Sequence, residues 1–338
     1  MTELGLRYDL RAPAFGASPA DLYDAALDQC AWADETGFDL VTVLEHHGAD
    51  DGYCPSPLIV AAALAARTRR MRIRIRALVL PLHDPVRVAE DCAVLDVLSR
   101  GRLELVVAAG YVRSEYAMFG VDPADRGRLL ERGVATLRAA FTGEPFVHDG
   151  RPGRVALRPH GPLPITLGGS SDVAARRAAL IADNFDPTHL RTRAAYEQEC
   201  ARLGRAPGPP APPQPRGQFL HVSADPEKDW VRLGPHLLHE MCSYGEWLAA
   251  AGTGRQYRPV ADLDELRATG VYRIVTPAEC LALARELGPA GRLEFHPLVG
   301  GADPEIGWSG LRLFAAEVLP TLQAEGLVGR YAGPTGAR

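Results

Sequence analysis

The chain has 338 residues, of which 46% are hydrophobic and 23% charged, and its formal net charge is −5. This composition is ample for a large core and excludes a disordered chain, and the absence of a basic stripe interleaved with aromatics argues against nucleic acid as a main partner. No apolar run approaches the ~20 residues of a membrane span, and the acidic N-terminus lacks an apolar signal core, so neither a membrane nor an export role is expected.

In chain order, Leu4 to Leu10 reads as a strand and is followed by a loop with Pro13, Gly16 and Pro19. Ser18 or Asp21 can cap a helix running to Thr36, which Gly37 ends in the left-handed conformation glycine tolerates. Asp39 to Leu44 is an apolar, β-branched strand that ends in Glu45-His46-His47. Helix 57–68, strand 71–80, helix 84–99 and strand 103–108 follow, and strands alternating with helices mean buried parallel βαβ units. Arg72, Arg74 and Arg76 alternate with Ile73 and Ile75, which reads as one side of a strand start partly open to solvent.

A loop spans 109–123, with Gly110, Tyr111 and Arg113, and helix 124–141 begins near Arg126. Residues 146–162 suggest a small hairpin inserted around Asp149-Gly150, a favoured turn pair. Strand 164–167 runs into Gly168-Gly169-Ser170-Ser171 and helix 173–181; a short strand, 184–187, and helix 192–203 come next. Six prolines between Ala206 and Pro215 make an extended surface loop. Strand 218–222, helix 226–251, a turn-rich stretch from Gly252 to Gly270 read as a lid, helix 277–287, strand 292–299 and helix 304–325 complete the chain. Strand starts near residues 4, 39, 71, 103, 164, 183, 218 and 292 number eight. The expected fold class is therefore α/β, a single (β/α)8 TIM barrel over 1–330 with a C-terminal tail at 331–338, and its site at the carboxyl ends of the strands.

At that rim, neighbouring side chains of an extended strand point to opposite faces, so one of His46 and His47 is expected to enter the mouth. A single histidine suffices as acid, base or hydrogen-bond donor, because its unperturbed pKa lies near neutral. As a metal site the pair lacks the required spacing and a third ligand, so no metal is expected. Gly168 to Ser171 sit between strand and helix, where close backbone approach and free amides favour an anion. Arg113 and Arg126 can reach the same mouth, and His296 closes the last strand. The six cysteines (Cys30, Cys54, Cys92, Cys200, Cys242, Cys280) form no CxxC pair. That pattern predicts free thiols and a cytoplasmic setting.

The ordered motifs Val43-Leu44-Glu45-His46-His47, Leu80-Pro81 with 84–91, Leu95 to Arg102 and Phe119-Gly120-Val121-Asp122 resemble those of the bacterial luciferase-like flavin monooxygenases. The resemblance continues through 276–280 and 313–320. It implies a luciferase-type TIM barrel that takes reduced FMN from a separate flavin reductase, forms a C4a-peroxyflavin with O₂ and oxygenates a small organic substrate. It assigns the catalytic role to His46, the flavin face to Ala77, joined to Arg76 by a non-prolyl cis peptide, and the phosphate to Gly168, Gly169, Ser170 and Ser171. Tyr111, Arg113 and Arg126 are expected to touch the cofactor, and Glu45, His47 and His296 to line the substrate pocket. An arginine that the family places before the loop glycine is Ala109 here, so phosphate charge is expected from Arg126 or Arg113. A homodimer is the expected assembly. The alternatives are a deazaflavin-dependent hydride-transfer enzyme on the same barrel and a non-catalytic flavin-binding protein. Bioluminescence is not expected.

Overall fold

A computed structural model describes residues 1–214, 219–252 and 257–329. Its elements are β1 (Glu3–Tyr8), α1 (Pro19–Thr36), β2 (Leu40–Val43), α2 (Pro57–Arg67), β3 (Arg72–Val79), α3 (Pro85–Ser99) and β4 (Leu103–Ala108). These are followed by α4 (Arg113–Met118), α5 (Arg126–Phe141), the hairpin β5 (Phe146–His148) and β6 (Arg151–Gly153), β7 (Ile165–Gly169), α6 (Asp172–Ile181), β8 (Asn184–Pro187) and α7 (Arg193–Arg202). The last third holds β9 (Phe219–Val222), α8 (Pro226–Ala250), α9 (Leu263–Ala268), β10 (Tyr272–Val275), α10 (Pro277–Leu287), β11 (Arg292–Phe295), α11 (Pro304–Leu313) and α12 (Leu319–Ala324).

Local chemistry sets most boundaries. The Ser18 hydroxyl accepts from the Asp21 amide to start α1, and Gly37, at φ 103°, ends it. Asp149 and Gly150 both take positive φ in the β5–β6 turn, as a tight hairpin requires. Between α11 and α12 the expected single helix widens into a π turn over Phe314–Val318, just before Pro320, whose nitrogen has no hydrogen to donate. The expected loop 109–123 contains the short helix α4, and the expected lid contains α9, anchored by buried Leu266. Residues 253–256 of that lid and the predicted tail 331–338 lie outside the described residues.

Seven strands form one curled parallel sheet in the order β11-β1-β2-β3-β4-β7-β8. The expected ring of eight is met in part: among the described residues the seven strands share one sheet and no ladder joins β8 to β9, while β9 pairs in parallel with β10, a strand not expected from the sequence. The edge of β8 is taken up otherwise. Pro187 lacks a donor, Arg193 donates to the Phe185 carbonyl at 3.3 Å, and Asn184 donates to the Pro209 carbonyl at 3.0 Å. The proline-rich loop then accepts from the Arg292 amide at Pro213 (2.8 Å), so it bridges the two edge strands of the sheet.

The arginine row of β3 lies along one side of the strand and is partly open to solvent, as expected, and its partners lie on other strands. Arg74 pairs with Glu104 at 2.6 Å and Arg76 with Asp186 of β8 at 2.5 Å, while Arg72 reaches Glu3 of β1. Partners two and three strands away are reachable only across the concave face, so the row lines the interior of the curl. Ile73 and Ile75 point outward into the apolar layer shared with the helices.

Candidate active site

The rim at the carboxyl ends of β1 to β4 is built by a loop that doubles back. After β2 ends at Val43, the His46 amide donates to the Cys54 carbonyl (3.2 Å) and the Cys54 amide to the Asp9 carbonyl (2.9 Å). Because the chain is no longer extended there, both histidines are buried, where alternation predicted one. They face different partners.

The His46 Nδ1 lies 2.6 Å from Glu115 Oε1, and the same oxygen accepts from the His47 amide at 3.0 Å. A carboxylate at Nδ1 favours the proton on that nitrogen and leaves Nε2 for chemistry. Nε2 is turned toward the Tyr111 hydroxyl, 3.5 Å away. Aromatic rings enclose the imidazole: Trp247 at 4.5 Å between centroids, Tyr53 at 4.8 Å and Tyr244 at 6.0 Å. Tyr244 and Trp247 are three residues apart on α8, so one helix face caps His46.

His47 Nε2 and His83 Nε2 both contact Glu45 Oε1, at 2.8 and 2.6 Å, while Glu45 Oε2 accepts from the Val79 amide at 2.6 Å. Burial pushes the Glu45 carboxyl up, and the hydrogen bonds from His47, His83 and Val79 more than reverse this.

Beneath this layer is a charged cluster. His296, expected at the pocket lining, is fully enclosed, with Asp9 at 3.5 Å on one nitrogen and Glu240 at 3.6 Å on the other. Arg11 pairs with Asp51 at 2.6 Å and lies over the rings of Tyr53, Tyr244 and Trp247 at 4.6, 4.8 and 5.0 Å. Arg7 donates to the Tyr244 hydroxyl at 3.3 Å, and that hydroxyl is 2.8 Å from the one on Tyr53.

The cofactor candidates lie on the β3, β4 and β7 side. The Arg76–Ala77 peptide is cis. A methyl built on Gly168 would sit 3.4 Å from Val106, 3.6 Å from the Ala77 methyl and 3.7 Å from that of Ala108, so residues of β3, β4 and β7, small apart from Val106, meet there. A Cβ on Gly169 would come within 2.5 Å of the Ala174 methyl, which makes glycine necessary for α6 to start against β7. Ser171 caps α6 through the Ala174 amide at 3.2 Å, where α6 starts directly after β7. Gly110 is likewise required before Tyr111, because its Cβ would lie 2.6 Å from Val79. Arg113 opens α4 in an exposed position, and Arg126, also exposed, donates to the Pro123 carbonyl of its own turn at 2.8 Å. Among the described residues neither arginine makes a hydrogen bond or ion pair with 168–171.

The sequence profile of the luciferase-like monooxygenases matches residues 8–271. The chain belongs to that family. Among curated members, 4-hydroxyprotoasukamycin monooxygenase of Streptomyces nodosus subsp. asukaensis is 34% identical over 157 residues, 44% of this chain and 42% of that protein. The alkanal monooxygenase alpha chain of Photorhabdus luminescens is 33% identical over 110 residues, 32% of this chain and 30% of its own. The chain thus matches less than half the length of each. Among solved structures, monooxygenase RslO1 of Streptomyces bottropensis superimposes with a TM-score of 0.75 at 21% identity, covering 95% of this chain and 99% of the other. An F420-dependent secondary alcohol dehydrogenase does so with a TM-score of 0.68 at 18% identity, covering 95% and 99%. These likenesses establish the shared α/β fold.

Within this luciferase-like chain, sequence reading located Glu45, His46, His47, Tyr111 and Gly168 to Ser171 on the strand-end rim. It missed Glu115, Tyr53, His83, Tyr244 and Trp247. The Tyr244/Trp247 pair carries a signal, two aromatics at i, i+3 on a helix. Glu115 carries none, since nothing local connects it to His46.

Proposed function

We propose that this protein is the oxygenase of a two-component system, binding reduced FMN delivered by a separate reductase and oxygenating a small organic molecule with O₂. The observation that carries this reading is the His46–Glu115 pair at 2.6 Å, buried at the end of β2, with the patch of Ala77, Ala108 and Gly168 on the strands that follow β2 in the sheet, β3, β4 and β7. That patch fits a flat ring system, and the α6 amides with Ser170 and Ser171 fit a phosphate. When bound, reduced flavin supplies the electrons that activate O₂ for transfer of one oxygen atom to the substrate.

The protein's own residues then have defined tasks. Glu115 fixes the Nδ1 proton of His46, so that Nε2 holds or releases a proton toward the ring edge and Tyr111. Trp247 and Tyr244 exclude water from this imidazole. Arg126 and Arg113 add positive charge on the phosphate side, and Glu45 and His47 fix the rim from behind. A closed barrel wall completed by β9 and β10, and a homodimer, belong to the same reading.

Anaerobic titration with reduced FMN and with reduced deazaflavin tests it. We expect saturable binding of reduced FMN with a change in tryptophan emission, because a ring entering beside His46 meets Trp247. Binding of deazaflavin alone would replace this proposal by hydride transfer on the same fold. Binding of both flavins with no oxygen uptake in the presence of a reductase would leave a carrier.

A further inference from the structure

We propose that Glu45, His47 and His83 form a binding site for one divalent transition-metal ion, with zinc the best match. His47 and Glu45 stand at the end of β2, and His83 follows β3, so two neighbouring parallel strands deliver the three groups to one point. Sequence spacing supplied only the first two; the ladder pairing Val43 with Ile75 brings in the third.

The geometry points to an ion. Both Nε2 atoms and Glu45 Oε1 fall within 4.8 Å of one another, and each nitrogen already faces the oxygen. Two imidazoles and one carboxylate, plus water, are a donor set that zinc takes, whereas calcium and magnesium prefer oxygen alone. Metal bonds of about 2.0–2.2 Å place tetrahedral ligands roughly 3.3 Å apart, so the 2.8 and 2.6 Å contacts have to open by about 0.5 to 0.7 Å while the two nitrogens draw together. His83 lies in a loop with a side chain 24% exposed, which gives it room to move and leaves an approach from solvent.

Charge points the same way. Glu45 is completely enclosed, and its ion-pair partners are the two imidazoles, which carry charge only when protonated. Three hydrogen bonds hold Glu45 in place, and among the described residues no arginine or lysine is paired with it, so a divalent ion can take the position of a fixed cation beside it. The second cluster with metal-like residues, Asp9, Glu240 and His296, is different. There Arg11 stands 3.3 Å from Asp9 and Arg7 4.0 Å from Glu240, so the cationic places are taken. Occupancy at Glu45 would fasten the loop after β3 to the end of β2, one residue from His46.

The test needs no flavin. Chelator-treated protein is dialysed against one equivalent of Zn²⁺ or Co²⁺, and retained metal and the visible Co²⁺ spectrum are measured. We expect one ion per chain, a tetrahedral cobalt spectrum and a rise in Tm. His83→Ala, on a surface loop, should fold normally and lose at least about 100-fold in affinity, no less than a supporting residue of a metal site costs. Glu45→Gln should lose it as well. Failure of the native protein to retain metal would overturn the proposal. So would equal affinity in His83→Ala, or imidazole NMR signals of His47 and His83 that keep their Nε2 protons after zinc is added, the last meaning that a proton alone serves the carboxylate.

Discussion

A histidine is only as useful as the group that fixes its proton, and at His46 that group is Glu115. Glu115→Gln keeps the shape but offers a neutral amide to Nδ1, so the preference for one tautomer is lost. Flavin-dependent oxygen transfer should fall about 100-fold, within the range for acid–base groups, while Tm and reduced-FMN affinity stay close to native. Rapid-mixing turnover beside a thermal melt checks this, and a variant that turns over normally would remove Glu115 from the proposed chemistry. Trp247 belongs to the same scale. Trp247→Phe should abolish most of the emission change on flavin binding while leaving affinity within a few-fold, which titration of both proteins measures.

Among the elements, the turn between β7 and α6 does two jobs with four residues. Gly169 lets α6 pack directly on the strand, and Ser171 caps it. Gly169→Ala forces the new methyl into Ala174 and should cost about 1–3 kcal/mol, seen as a lower urea midpoint, with weaker flavin binding because the amides shift. Ser171→Ala should cost about 1 kcal/mol through the lost cap. The elements the sequence revealed are those whose signals are local: Ser18 before α1, Gly37 after it, Asp149-Gly150 in the hairpin. The short helix α4 was not legible, since six residues give too little periodicity. Strand β10 was hidden for a related reason, being only four residues long, although the turn glycine Gly270 stands just before it.

At the scale of the whole molecule, the concave face of the sheet is charged from β1 through β8. Burial pushes Asp186 and Glu104 up, and the neighbouring guanidinium groups, Arg76 for the first and Arg74 with Arg72 for the second, bring both below the usual carboxylate range. A depressed native pKa means that the stabilisation is fully present above the unfolded value near 4 and is lost as pH falls toward the folded one. Tm should therefore change little between about pH 7 and 5 and drop steeply below about pH 4. Asp186→Asn should lower Tm at neutral pH and flatten that drop, a comparison that calorimetry makes directly.

By itself the sequence determined the βα alternation, the strand-end position of Glu45, His46 and His47, and the glycine-serine turn at 168–171. Each of these rests on residues adjacent in the chain, where periodicity, capping and turn chemistry act. Only the tertiary structure decided that Glu115 holds His46, that His83 joins Glu45 and His47, that α8 covers the imidazole, and that the arginines of β3 face inward to partners on other strands. Those pairings join residues dozens to hundreds of positions apart. They are selected by the curvature of the sheet and by the demand that every buried charge meet its complement, neither of which leaves a mark in local sequence.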